Sequence, residues 1–169
     1  MAKTATAGAA SRPSPLTRDN LGFLLAKASQ RWNELLAERF AAAGFPDVRP
    51  SYGSILIPLY EEDGLRMGEI ARRARLSKQT MTTMVRLLER DGLVERRPDP
   101  HDGRAALVFL SHRARAFRPV AEATLQELAR LAQRRLGTAT ADTVNAALRQ
   151  LAELAWIRST SQRAQPHKR

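Results

Sequence analysis

The sequence predicts a mainly α fold with a small β-hairpin wing (α+β). Three observations lead there. The chain is 43% hydrophobic but only 5% aromatic, with Ala and Leu dominant, a mixture that favours helices packed on helices over a sheet sandwich. The stretch from Met67 to Ala106 reads as helix, tight turn, second helix, then two β-rich runs around a charged tip. Long apolar stripes at helical spacing flank that stretch on both sides and exceed what a small core needs.

Taken in order, residues 1–16 are rich in Ala, Thr, Ser and Pro and read as a disordered N-terminal arm, whose Lys3 and Arg12 are more simply a passive tail than phosphate contacts. From Leu21, the residues Leu24, Leu25, Ala28, Trp32, Leu35, Leu36 and Phe40 hold a helical period for five turns. Thr17 or Asp19 is expected to cap this helix, and Gly44 with Pro46 to end it. A second helix is expected over 51–62, on Tyr52, Ile55, Leu56 and Leu59. Its first turn, together with Trp32, is the place to look for a ligand cleft, so Trp32 and Tyr52 are candidate pocket residues as well as packing residues.

Gly64 breaks that helix, and 65–67 form a very short strand. A helix over 68–75 turns Ile70, Ala71 and Ala74 inward, Leu76-Ser77 makes the turn, and Ser77 caps a helix over 78–91 that Gly92 closes in a left-handed conformation. Strands are expected over 93–97 and 105–110, with Pro98 to Arg104 as the loop between them. Ser111 caps a long helix to about Leu136, Gly137 ends it, and a last helix over 140–157 repeats the stripe through Val144, Leu148, Leu151 and Ala155. Residues 159–169 make a polar, basic C-terminal tail.

In the helix over 78–91, Met81, Met84, Val85 and Leu88 fall on one face, and the other carries Lys78, Gln79, Thr82, Thr83, Arg86 and Arg90. An apolar back with a basic, hydroxyl- and amide-bearing front suits a helix lying in a major groove. Arg and Lys can read guanine there, Gln adenine, and Thr offers a hydroxyl and a methyl. The bland alternative is a solvated face of a basic protein. The charge weighs toward the groove: the chain carries +11 with a pI near 11.3, and residues 65–118 alone hold 13 Lys and Arg against 6 Asp and Glu. Such an excess implies a polyanionic partner, nucleic acid before membrane.

Other function classes fare worse. There is no cysteine, which excludes disulfides, thiolate metal sites and thiol-based redox sensing. The longest apolar run, Ile55 to Tyr60, is broken by Pro58, so no membrane span or membrane partner is expected. No apolar segment follows Lys3, and a cytoplasmic protein without a secretory signal is expected. Three scattered histidines and the lack of any Gly-rich phosphate loop argue against an enzyme, and no cofactor is expected. His101 between Asp99 and Asp102 is a solvated turn more readily than a metal site. RNA binding lacks aromatic stacking platforms. A sequence-independent architectural DNA-binding protein is the remaining rival, since charge alone would serve it.

The run Leu88-Glu89-Arg90-Asp91-Gly92-Leu93-Val94-Glu95-Arg96, followed by Asp99-Pro100-His101-Asp102-Gly103-Arg104, resembles the multiple-antibiotic-resistance regulator (MarR) family of winged helix-turn-helix repressors. The resemblance extends over 21–154. It implies a homodimer joined by helices in 17–50 and 112–158, with 51–111 as the winged DNA-binding domain. Two such domains would grip one near-palindromic operator in double-stranded DNA, their reading helices in successive major grooves. Base-edge contacts are then expected from Gln79, Thr82, Thr83 and Lys78, and phosphate contacts from Ser77, Thr80, Arg86, Arg96 and Arg97. Asp102 is implied to orient Arg104, whose guanidinium enters the minor groove. The resemblance also implies a small aromatic or anionic ligand that shifts the dimer away from its DNA-binding spacing.

Three residues depart from the family's pattern. Arg75 stands where relatives have Gly, so it must adopt a left-handed conformation or the turn must differ. Arg66 stands near a usual Ser/Thr cap, and Gly103 replaces a charged wing-tip residue.

Overall fold

The computed structural model describes residues 17–154; the expected arm (1–16), residues 155–158 of the last expected helix and the basic tail (159–169) lie outside the described residues. The order is α1 (Leu21–Ala42), a 3-10 turn (Pro50–Tyr52), α2 (Gly53–Glu61), β1 (Leu65–Arg66), α3 (Met67–Ala74), α4 (Lys78–Arg90), β2 (Val94–Asp99), β3 (Asp102–Leu110), α5 (His112–Leu136) and α6 (Thr138–Ala152). The strands form one antiparallel sheet in the order β1-β3-β2. The chain divides into two compact units at Thr124/Leu125, within α5.

The first unit has its core under α4. Tyr52, Ile55 and Leu56 of the second helical segment, Ile70 of α3, Met81, Val85 and Leu88 of α4, and Val108 of β3 are all buried. Leu36 and Phe40 bury the C-terminal half of α1, and the Phe117 ring of α5 meets Phe40 edge-on at 4.8 Å and Phe45 at 5.1 Å. The N-terminal half of α1 leaves Leu21, Phe23 and Leu24 exposed. In the second unit Leu128 and Ala141 are buried, while Leu131, Leu136, Val144 and Leu148 are open to solvent.

Local chemistry explains most boundaries, and several differ from the sequence expectation. Neither Thr17 nor Asp19 caps α1. Asn20 does, because it immediately precedes the first helical residue and its carboxamide oxygen accepts from Phe23 N at 2.9 Å. Pro50 tightens the start of the expected 51–62 helix into a 3-10 turn. The last helix opens at Thr138, directly after Gly137 (φ 81°), and closes at Ala152 rather than 157. The hairpin is longer than expected: β2 runs through Pro98 to Asp99 and β3 starts at Asp102, so only Pro100-His101 turns the chain. Pro98 is tolerated because β2 is the sheet edge, where a missing N–H costs no ladder bond.

The two backbone departures at α3 take the form the sequence allowed. Arg66 is the N-cap of α3 with no side-chain cap bond, and Arg75 closes the helix in the left-handed region (φ 52°, ψ 38°). A non-glycine residue there costs about 1–2 kcal/mol.

Asp63 and Gly64 fix the sheet to the helices. Asp63 accepts from Leu110 N at 2.8 Å and Gly64 N at 3.0 Å, and pairs with Arg115 at 2.6 Å. Gly64 adopts φ +76°, and a Cβ there would stand 2.6 Å from the Phe109 ring. That ring carries the Arg97 guanidinium 4.7 Å from its centroid. Gly64→Ala should therefore combine backbone strain with overpacking and lower stability by about 1–3 kcal/mol, read as a reduced midpoint in urea unfolding. An unchanged midpoint would mean that neither the left-handed turn nor the Phe109 contact is rigid.

Candidate nucleic-acid interface

The two faces of α4 follow directly from its sequence. Met81, Val85 and Leu88 are buried against the core, while Lys78, Gln79, Thr80, Thr83 and Arg86 are exposed and Thr82 is half-buried. Ser77 caps the helix: its Oγ accepts from Thr80 N at 3.1 Å and lies 2.8 Å from Thr80 Oγ1. The hydroxyls of Thr82 and Thr83 donate back to the carbonyls of Lys78 (2.9 Å) and Gln79 (3.2 Å). Their protons are thus spent on the helix, which leaves a methyl group and oxygen lone pairs to offer a partner.

At the other end, Gly92 (φ 70°) closes α4, with Gly92 N donating to Glu89 O and Leu93 N to Leu88 O. The Asp91 carboxylate there accepts from the Tyr52 phenol at 2.5 Å and from Arg90 Nε at 2.8 Å. Arg90 and Tyr52 together hold Asp91 below the usual carboxylate range. Arg113 Nη1 donates to the Asp91 carbonyl at 2.7 Å. α4 is therefore pinned at its C-terminus from the 3-10 turn before α2 and from α5.

The wing holds a second group of candidates. Asp102 Oδ1 accepts from the backbone N–H of Arg104 at 3.1 Å, so the carboxylate shapes the chain at Arg104 and does not pair with its guanidinium. The Arg104 side chain is exposed and forms no ion pair among the described residues; the same holds for Lys78 and Arg86 on α4. Arg96 pairs with Glu89 at 2.7 Å, and Arg97 with Glu95 at 3.0 Å. On α3, Arg72 and Arg73 both engage Glu69, whose pKa they depress to about 2.

The two candidate pocket residues part company. Trp32 is half-buried on α1. Tyr52 is wholly buried and its phenol is committed to Asp91, so its placement is that of an anchor for α4 and it lines no open cleft. Sequence reading also missed two residues. Asp99, 5% exposed, accepts from His101 N at 2.9 Å and from Arg66 Nε at 2.7 Å. Arg66, noticed only as a missing helix cap, is that carboxylate's partner. Asp followed by Pro-His is a legible turn signal, but the burial of Asp99 depends on a strand far away in sequence.

Comparison with known proteins agrees with this geometry. The sequence pattern of the MarR family matches residues 47–105. Over 64 residues the chain is 36% identical to the HTH-type transcriptional regulator TtmR of Methylorubrum extorquens; the match takes in 38% of this chain and 33% of the relative, so the chain spans about a third of that relative's length. Among solved structures, a probable transcriptional regulator from Pseudomonas aeruginosa superposes with a TM-score of 0.67 at 29% identity, covering 79% of this chain and 97% of the other. The transcriptional repressor CouR, solved bound to a 23-mer DNA duplex, superposes with a TM-score of 0.67 at 26% identity, covering 82% and 99%.

The buried phenols give a direct test of the packing behind α4. Burial raises Tyr52, with the Asp91 contact adding to it; burial likewise raises Tyr60, whose hydroxyl donates to Ala114 O at 2.8 Å, to about 12. Both groups are neutral in the fold, so their contribution is full below the ordinary phenol value of 10.0 and is lost as pH climbs toward 12. Absorbance at the tyrosinate wavelength should stay flat through pH 10 in the native protein and rise together with unfolding. These are the chain's two tyrosines, so titration of either near its ordinary value would be visible and would contradict this packing.

Proposed function

We propose that the chain is a winged helix-turn-helix transcriptional regulator of the MarR family, a sequence-specific repressor acting as a homodimer on a near-palindromic operator. The observation that carries the reading is α4: an apolar face buried in the core and an opposite face of Lys78, Gln79, Thr83 and Arg86 that is exposed and without ion pairs among the described residues. In the reading, Lys78, Gln79, Thr82 and Thr83 face base edges. Ser77, Thr80 and Arg86 lie along phosphates, with Arg96 and Arg97 exchanging their carboxylate partners for phosphate. Arg104, presented by a backbone that Asp102 holds, enters the minor groove.

Support for DNA as the partner comes from CouR, seen on a duplex, and from the regulator named at 36% identity. The dimer draws support from apolar side chains left open on α1 and on the helices of the second unit, among them Leu24, Leu131 and Leu148. A small aromatic or anionic ligand completes the reading as the family resemblance implies it, with the half-buried Trp32 as the pocket candidate that stays open to it. The cell compartment is the cytoplasm, where the DNA is.

Selection of bound duplexes from a randomised pool should return one near-palindromic motif, and sedimentation should give twice the chain mass. Arg104→Ala should weaken binding to that motif by on the order of 1–3 kcal/mol at fixed salt. Equal retention of scrambled DNA, or a monomer at binding concentrations, would refute the reading in favour of a sequence-independent binder.

A further inference from the structure

We infer that Arg66 is a positioning residue for the wing, a strut that fixes where Arg104 is presented. The inference rests on the DNA-binding reading above. Arg66 lies in β1 opposite Leu107 of β3 and also serves as the N-cap of α3. A capping residue there would normally offer a side-chain oxygen to the first turn, and Arg66 offers none. Its guanidinium is instead turned on the wing. Nε and Nη2 reach Asp99 Oδ2 at 2.7 and 2.5 Å, and Nη1 stands 3.7 Å from Asp102 Oδ2.

Each of those carboxylates holds one side of the hairpin turn. Asp99 accepts from His101 N at 2.9 Å, and Asp102 from Arg104 N at 3.1 Å. The Asp99 side chain is only 4% exposed, so its charge is stabilised by Arg66 and the His101 amide and little by water. Arg66 spans both aspartates, which a lysine's single ammonium cannot do in the same forked geometry. The turn between them consists only of Pro100-His101, and Gly103 next to Arg104 adds no side chain to stiffen it. Arg66, anchored at the start of α3, therefore ties together the two carboxylates that hold the tip. The consequence is a division of labour: the junction before α3 gives up a helix cap and gains control of the wing.

The discriminating variant is Arg66→Thr, which supplies the missing helix cap while removing the strut. Thermal unfolding should stay at or above the wild-type midpoint, because the cap compensates in α3. Should the uncompensated Asp99 charge lower it, Arg66→Thr with Asp99→Asn removes that charge while leaving an acceptor for His101. Binding to the motif selected by the wild-type chain should weaken at least about fivefold at fixed salt, the lower end of what loss of one arginine contact brings. The double variant Arg66→Thr/Arg104→Ala should bind no worse than Arg104→Ala alone, since both act through the same side chain, and Arg66→Lys should recover part of the affinity. Additive losses, or wild-type affinity in Arg66→Thr, would overturn the inference. Hydrogen exchange of the His101 and Arg104 amides in the DNA-free protein provides an arm that does not depend on DNA. Faster exchange in Arg66→Thr supports the strut and unchanged exchange refutes it. If the wild-type chain selects no motif, the DNA-binding reading falls by itself, and the exchange result still decides whether Arg66 holds the tip.

Discussion

A helix that enters a groove can be gripped only from behind, and α4 has the anchoring that such a role would require. Thirteen residues long, it buries Met81, Val85 and Leu88 and leaves the opposite side bare. An isolated helix of this length is marginal in water, so its order comes from that buried stripe and from its ends. The N-terminal end is tied by the Ser77 cap and the buried Met81, whereas the C-terminal end is tied by Gly92, Tyr52 and Arg113. The Lys78, Gln79 and Thr83 side chains of its N-terminal turns stay exposed, on the part of the helix that meets bases in groove-reading helices.

The same solution, an aspartate gripping an arginine together with a second kind of donor, recurs at the joints of the first unit. Asp63 holds Leu110 N, Gly64 N and Arg115; Asp99 holds His101 N and Arg66; Asp91 takes the Tyr52 phenol and Arg90. Such joints contribute little net stability, since desolvating both partners offsets most of their attraction. What they add is direction. Apolar contacts at Phe109 or Leu88 would accept a sliding sheet or a rotated helix, whereas a carboxylate with two or three fixed donors accepts one arrangement.

Local signals were the legible ones. Ser77, Gly92 and Gly137 mark ends because their chemistry is decided within four residues, and the faces of α4 follow from a period of 3.6. The α1 cap went to Asn20 and not to its polar neighbours Thr17 and Asp19, a choice that turns on a single residue of register. What could not be read were contacts between distant segments. Tyr52 meets Asp91 and Arg66 meets Asp99 across 39 and 33 residues. From the sequence, Tyr52 reads as a packing residue first and as an aromatic for a ligand second, and Arg66 only as a poor cap. The hairpin was underestimated for a related reason: Pro98 reads as a breaker until β2 is known to be an edge strand.

The formal charge of +11 overstates what a duplex would feel at close range. Arg72 and Arg73 share Glu69 on α3, while Arg96 is held by Glu89 and Arg97 by Glu95 on the elements that carry the candidate contacts. Exposed pairs of this kind are worth at most about 1 kcal/mol, so a phosphate can displace the carboxylate at little cost. The displaced Glu89 or Glu95 would then be left beside the DNA backbone, and its repulsion would return part of what the new contact contributes. Arginines so partnered hold their geometry before contact while adding little long-range attraction. The cations without partners among the described residues near the interface, Lys78, Arg86 and Arg104, belong to α4 and the wing. In the proposed role, a surface arranged this way would discriminate by fit: a duplex whose phosphates did not coincide with Arg96 and Arg97 would meet ion pairs that are already satisfied.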